Sequence, residues 1–116
     1  MGHPILRAAV AARLLGCVIM TAAPVAALAE DTEFERGRQV FTTEAEPNCA
    51  VCHTLADAQA EGEVGPNLDD LLPTEEEIRA AVIKGVEAMP AYEDVLTPEQ
   101  IDAVAAYVAG IAGKQR

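Results

Sequence analysis

The chain has no tryptophan and only two phenylalanines and two tyrosines in 116 residues. Large core side chains are scarce, and much of the apolar content is Ala and Val. A chain of this length makes one small domain, at a size where the surface-to-volume balance leaves stability marginal. That scarcity leaves room for a bulky group to complete the core. No run of alternating apolar residues marks a strand, which argues against a parallel α/β redox fold. Three cysteines and two histidines are too few for a zinc site built from Cys and His alone once the N-terminal segment is set aside.

No acidic residue occurs before Glu30. That segment carries Arg7 and Arg13, an apolar stretch LLGCVIMTAA at 14–23, and Ala27-Leu28-Ala29 just ahead of Glu30-Asp31. This is the layout of a secretory signal peptide with a small-residue cleavage site. Thr21 and Pro24 interrupt the apolar run, which falls short of the ~20 residues of a spanning helix. Leu14-Leu15-Gly16-Cys17 faintly resembles a lipoprotein cleavage box. Arg13 sits almost against it, however, and cleavage there would leave the most apolar part of the leader behind, so Cys17 reads as a passenger. The expected organisation is a cleaved signal peptide at 1–29 and one periplasmic domain at 30–116.

Six basic and nineteen acidic residues lie beyond Ala29, a formal charge of −13. Such a surface repels nucleic acid and anionic membranes and favours basic partners. It also keeps a protein soluble, with no partner implied.

Three helices have start signals. Thr32 with Glu35 forms a capping box for a helix to about residue 42, in which Gly37 and Phe41 share a face. Thr74 with Glu77 opens a second, stopped at Gly85. Thr97-Pro98-Glu99-Gln100 opens a third, with Ile101, Val104, Ala105, Val108 and Ile111 at helical spacing. The connections at 54–73 and 86–96 are long for a compact domain, and long ordered loops are usually functional.

Residues 49–53 read CAVCH. A redox dithiol of this spacing wants a strand-to-helix junction. A zinc site wants a fourth ligand, and Cys52 and His53 are awkwardly adjacent for a tetrahedron. A disulfide would close so short a loop that it would constrain little of the unfolded chain. Covalent haem attachment fits: two thiols add across the two vinyl groups, and His53 is directed under the ring to the iron.

With Gly37-Arg38-Gln39-Val40-Phe41 before that motif, Gly65-Pro66-Asn67-Leu68 after it, Ala88-Met89-Pro90 further on and a last helix ending in an aromatic, the chain resembles the small class I c-type cytochromes. The resemblance implies an all-α cytochrome c fold, three main helices and long loops wrapped around one covalent haem c. It implies that Cys49 and Cys52 are the tethers and His53 the proximal ligand. Met89, 36 residues after His53, matches the distal ligand. The Pro66 carbonyl would orient the His53 imidazole and Leu68 would pack on the ring. Gly37 would admit Tyr107 where the first and last helices cross. Arg79, Lys84, Tyr92 and Asn67 are candidate partners for the haem propionates. The chain departs from some relatives in lacking a tryptophan there, and from the mitochondrial carriers in its acidity, since those dock through a lysine ring.

The function so implied is single-electron transfer in the periplasm, between a dehydrogenase or membrane complex and an oxidase or reductase. The redox partners would present basic docking surfaces, with neither nucleic acid nor stable membrane insertion involved. Two other classes are a haem subunit held permanently by a periplasmic oxidoreductase, such as a molybdenum dehydrogenase, and a haem sensor or peroxidase with a labile distal site. If haem completes the core, the Cys49→Ser/Cys52→Ser double variant will be colourless and largely without helix by far-ultraviolet circular dichroism. A colourless but well-folded helical variant would contradict that dependence.

Overall fold

The computed structural model describes Gly2 and residues 25–114, with side chains from residue 32 on. The expected leader at 1–29 lies almost wholly outside these residues. Four α-helices follow in order: α1 (Val25–Gln39), the single turn α2 (Leu68–Leu71), α3 (Glu75–Lys84) and α4 (Pro98–Ile111). A two-residue antiparallel ladder, β1 (Thr54–Leu55) with β2 (Ala60–Glu61), is the strand content of the described residues. It is too short to leave an alternating signature in the sequence.

Helix α1 starts earlier than Thr32. The stretch VAALAED at 25–31 contains neither Pro nor Gly, so nothing in it breaks a helix, and Thr32 lies inside α1. At its other end α1 widens into a π-helical turn, Val40–Glu44. Thr42 and Thr43 each donate a hydroxyl hydrogen bond of 2.9 Å to the carbonyl four residues back. Such back-bonding bends helices. The wide turn buries Val40 and Phe41.

The starts of α3 and α4 are set by local chemistry. Thr74 Oγ1 accepts from the Glu77 amide at 3.3 Å, and Glu77 returns the favour to the Thr74 amide at 2.8 Å. Thr97 and Gln100 make the same exchange, with Pro98 in the first helical position. Helix α3 closes at Gly85, where φ is 70°. Helix α4 runs through Gly110 and ends at Ile111; Ile101, Val104, Ala105, Tyr107 and Val108 are buried along it.

The core forms where α1 crosses α4. The Gly37 α-carbon lies so near the Ala103 carbonyl and Tyr107 Cβ that any Cβ there would collide with both. Tyr107 stands edge-on to Phe34 and Phe41, with ring centroids 6.4 and 6.2 Å away. Its hydroxyl donates to Asp57 in the turn between β1 and β2, tying the hairpin to α4. Asp69, 8% exposed, ties three segments: its carboxylate accepts from the Ala56 amide at 2.7 Å and from the Gly113 amide at 2.9 Å.

Alanine is a better helix former than glycine by about 1 kcal/mol, yet overpacking against backbone costs about 1–3 kcal/mol. Because one colliding group is a backbone carbonyl that has no rotamer to change, the steric term wins. Gly37→Ala is expected to lower the urea midpoint of the holoprotein without changing the slope, and an unchanged midpoint would show that the crossing relaxes freely.

Candidate functional site

The CAVCH segment is one tight turn. Residues Cys49–Val51 form a 3₁₀-helix whose start is capped by Asn48, its side chain accepting from the Val51 amide at 3.2 Å. The Cys52 and His53 amides both donate to the Cys49 carbonyl, at 3.1 and 2.9 Å. In a 3₁₀ turn, side chains three apart eclipse one another. The spacing of Cys49 and Cys52 therefore directs both sulfurs to one side, and His53 follows on that side. The two thiols are not joined in a disulfide. Burial pushes the Cys49 thiol up to about 11, against a smaller lowering by a backbone hydrogen bond. That thiol is held neutral in apolar surroundings.

His53 is oriented from outside the turn. Its Nδ1 lies 2.8 Å from the Pro66 carbonyl oxygen, within hydrogen-bond reach when Nδ1 carries the proton. Gly65 brings that carbonyl there. Its amide donates to the Cys52 carbonyl at 2.7 Å, and a Cβ on Gly65 would run into the imidazole ring. Asn67 then caps α2, its side chain accepting from the Asp69 amide at 2.9 Å, which turns Leu68 inward.

All six residues expected at the site line one cavity of about 470 Å³: Cys49, Cys52, His53, Pro66, Leu68 and Met89. Its other walls come from Phe41 on the π turn, Ile78 and Val82 on α3, and Val104 and Val108 on α4. The volume falls in the range of cofactor sites. Met89 enters from a tight turn at 86–89, closed by Val86 and Met89 exchanging backbone hydrogen bonds of 3.1 and 2.8 Å. The donor set (two thiols, an imidazole, a thioether) in an apolar slot suits a haem held by thioethers and axial nitrogen and sulfur. Zinc is not suited. Among the described residues no three His, Cys, Asp or Glu side chains gather into a metal-holding group.

The propionate candidates fare differently. Arg79 does not line the cavity; its guanidinium bonds Asp102 and Glu75, each at 2.7 Å. Lys84 and Asn67 are also absent from the lining. Tyr92 does line it, but its hydroxyl donates to the Pro47 carbonyl at 2.7 Å. Asn48 and Asp69 were not singled out from sequence for the site, and Gly65 was named only as part of the motif at 65–68. An asparagine before a turn is a recognisable cap, whereas nothing in one sequence separates Asp69 from eighteen other carboxylates.

The comparisons with known proteins agree with this geometry. Residues 32–108 match the family described as cytochrome C oxidase, cbb3-type, subunit III. Over 104 residues the chain is 38% identical to cytochrome c6 of Nostoc sp. strain PCC 7120, covering 85% of this chain and 88% of that protein. Among solved structures it is similar to the c-type cytochrome SorU from Sinorhizobium meliloti. That match has 53% identity and a TM-score of 0.69, and covers 72% of this chain and 94% of that one.

Tyr92 supplies a pH test. Burial first, then charge on the free Cys49 and Cys52 thiols and on Glu46, pushes its phenol up to about 12; burial and Glu46 keep the same direction when the sulfurs are thioethers. A folded pKa above the unfolded value of ~10 means that the neutral phenol stabilises the fold below pH 10. That contribution is lost as pH rises toward 12. Tyr92→Phe is expected to cost about 1 kcal/mol at pH 7, from the lost bond to Pro47, and to flatten the fall in stability between pH 10 and 12. Parallel curves for the two proteins in that window would remove Tyr92 as the titrating group.

Proposed function

The chain belongs to the small c-type cytochromes, and we propose that within that family it is a periplasmic single-electron carrier with one haem c ligated by His53 and Met89. The observation that carries this reading is the convergence of two unpaired thiols, an imidazole and a thioether on one apolar cavity. Cys49 and Cys52 would hold the group through thioethers, and His53 and Met89 would ligate its iron. When bound, haem c supplies an iron that cycles between ferrous and ferric states.

The chain's own residues do the rest. The Pro66 carbonyl holds the His53 ring in one orientation and one tautomer. The paired backbone bonds of Val86 and Met89 fix the thioether's approach, and Gly85 and Pro90 bracket that turn. Leu68, Phe41, Val82 and Val108 wall the slot with apolar surface. His53 and Met89, each held by backbone contacts, would keep the iron's ligands in place, so that neither redox state would ask the protein to rearrange. Methionine ligation favours the ferrous state and raises the potential.

The sensor or peroxidase class is disfavoured by the site itself. It wants a distal polar group, and the nearest candidate named from sequence, Arg79, is engaged by Asp102 and Glu75 outside the cavity. A second reading, a haem subunit of a larger oxidoreductase, is favoured by the family description of an oxidase subunit. A stoichiometric partner that co-purifies through gel filtration would establish it.

Secretion completes the proposal. No helix of the described residues is long and apolar enough to cross a membrane. Cleavage after Ala29 would remove five residues of α1 and leave Thr32 close to the new end of that helix, where its hydroxyl can cap. The mature protein then begins at Glu30.

Met89→Ala tests the distal ligand. The wild-type protein is expected to show a low-spin six-coordinate spectrum and to resist carbon monoxide. The variant is expected to bind carbon monoxide or imidazole readily and to have a lower potential. Wild-type protein that takes up added ligands as fast as the variant would remove Met89 from the iron.

A further inference from the structure

Residues 52–56 and 65–69 are joined in a constant register. The Gly65 amide donates to the Cys52 carbonyl at 2.7 Å, and His53 Nδ1 lies 2.8 Å from the Pro66 carbonyl oxygen. The Ala56 amide donates to Asp69 Oδ2 at 2.7 Å. The partners are 13 residues apart each time. The middle bond, which orients the imidazole, is therefore bracketed. A backbone bond fixes the register just before it, and a side chain fixes it just after.

That side chain is chemically unlike the rest of the core. Among the described residues Asp69 is the one charged side chain that is buried. Burying a carboxylate is costly unless its oxygens find donors. Both do: Oδ2 takes the Ala56 amide, and Oδ1 takes the Gly113 amide at 2.9 Å. Two converging N–H groups call for a side chain with two acceptors and no donor, which is a carboxylate. An asparagine would accept from one amide and turn its own NH₂ toward the other.

The second bond shows what Asp69 is anchored to. Helix α2 is a single turn, too short to hold its own position. Helix α4, with Gly113 just beyond its end, is buried along much of its length. The Gly113 bond refers α2, and the Pro66–Leu68 stretch that leads into it, to a helix packed in the core. If closing the loop were the whole task, an apolar contact would serve without the desolvation cost. Two directed bonds do more: they fix where the Pro66 carbonyl stands relative to His53.

We propose that Asp69 is a positioning residue for His53. By holding residues 66–69 against 53–56, its carboxylate sets the hydrogen bond from Nδ1 to the Pro66 carbonyl and, through that bond, the reduction potential. Asp69 does not line the cavity and acts only through the bond it holds in place. The inference rests on the reading of His53 as an iron ligand. A tighter bond makes the imidazole a more basic ligand. A more basic ligand favours the ferric state, so loosening the bond raises the potential.

The test uses the holoprotein, ¹⁵N-labelled and reduced, with the His53 Nδ1–H signal and the potential as readouts. The wild-type absorption spectrum is recorded first; a high-spin form would overturn the ligation reading itself. Asp69→Asn is expected to raise the potential and to speed solvent exchange of the Nδ1 proton about tenfold, the equivalent of one net hydrogen bond. Losing a buried negative charge would also raise the potential, so a second variant separates charge from position. Asp69→Glu keeps the charge and both oxygens but displaces them by a methylene. It too is expected to shift the Nδ1–H signal, speed its exchange and raise the potential, and it decides the matter alone if Asp69→Asn gives no holoprotein. Gly37→Ala, which strains the distant α1–α4 crossing, controls for lost stability; it should leave the potential and the Nδ1–H signal unchanged. A low-spin wild type whose Nδ1–H signal is unmoved by the Asp69 variants would overturn the proposal. So would a rise in potential with Asp69→Asn but not Asp69→Glu, which would mean charge alone, or equal effects from Gly37→Ala, which would mean lost stability.

Discussion

A chain with so few large side chains has to build its interior around something it does not itself contain. The walls of the cavity are drawn from segments far apart in sequence: the π turn after α1, the CAVCH turn, the Pro66 loop, α2, α3, the Met89 turn and α4. None of these packs fully against another across that space. The 3₁₀ turn is the point on which the arrangement depends. By eclipsing side chains three apart, it converts a spacing in sequence into two sulfurs on one side, with an imidazole following. A wider α-helical turn would splay them around a larger arc.

Loops as long as those at 54–73 and 86–96 do not hold a histidine and a methionine in place by themselves. Three polar ties do so, each reaching far along the chain. Asp69 joins the hairpin, α2 and the end of α4. Tyr107 reaches Asp57, and Tyr92 reaches Pro47. All three use buried or half-buried groups, where a satisfied hydrogen bond is strong and an orphaned one is costly. The ties hold the loops with polar bonds, where a larger protein would use apolar bulk. Tyr107 does both, since its ring also fills the contact between Gly37, Phe34 and Phe41.

What could be read from sequence was what local chemistry determines. The starts of α3 and α4 were legible because capping exchanges span three residues and need no tertiary context. The close approach at Gly37 came from family resemblance, and the crossing with Tyr107 is what the fold contains. The start of α1 was not legible, because it depends on what precedes Thr32, and residues 25–31 continue the helix. The two-residue ladder was invisible for want of length. Among charged residues the limit is one of distance. Arg79 looked available as a propionate partner, yet Asp102, 23 positions away, engages it. Its other partner, Glu75, sits four residues before it on the same face of α3, and that spacing was readable.

The acidity of the surface has two readings in sequence, solubility and recognition, and composition alone does not separate them. A charge that serves only solubility can sit anywhere exposed, and most of the carboxylates on α1 and α3 occupy unstrained helical backbone. Glu87 is different: it occupies a conformation that glycine would adopt at lower cost, in the turn that carries Met89. Replacing it by glycine would relax that turn and keep a soluble protein, since eighteen acidic residues would remain. Gln59 and Leu72 share its left-handed backbone, so the conformation at Glu87 follows from the tight turn that presents Met89 and not from the charge it carries.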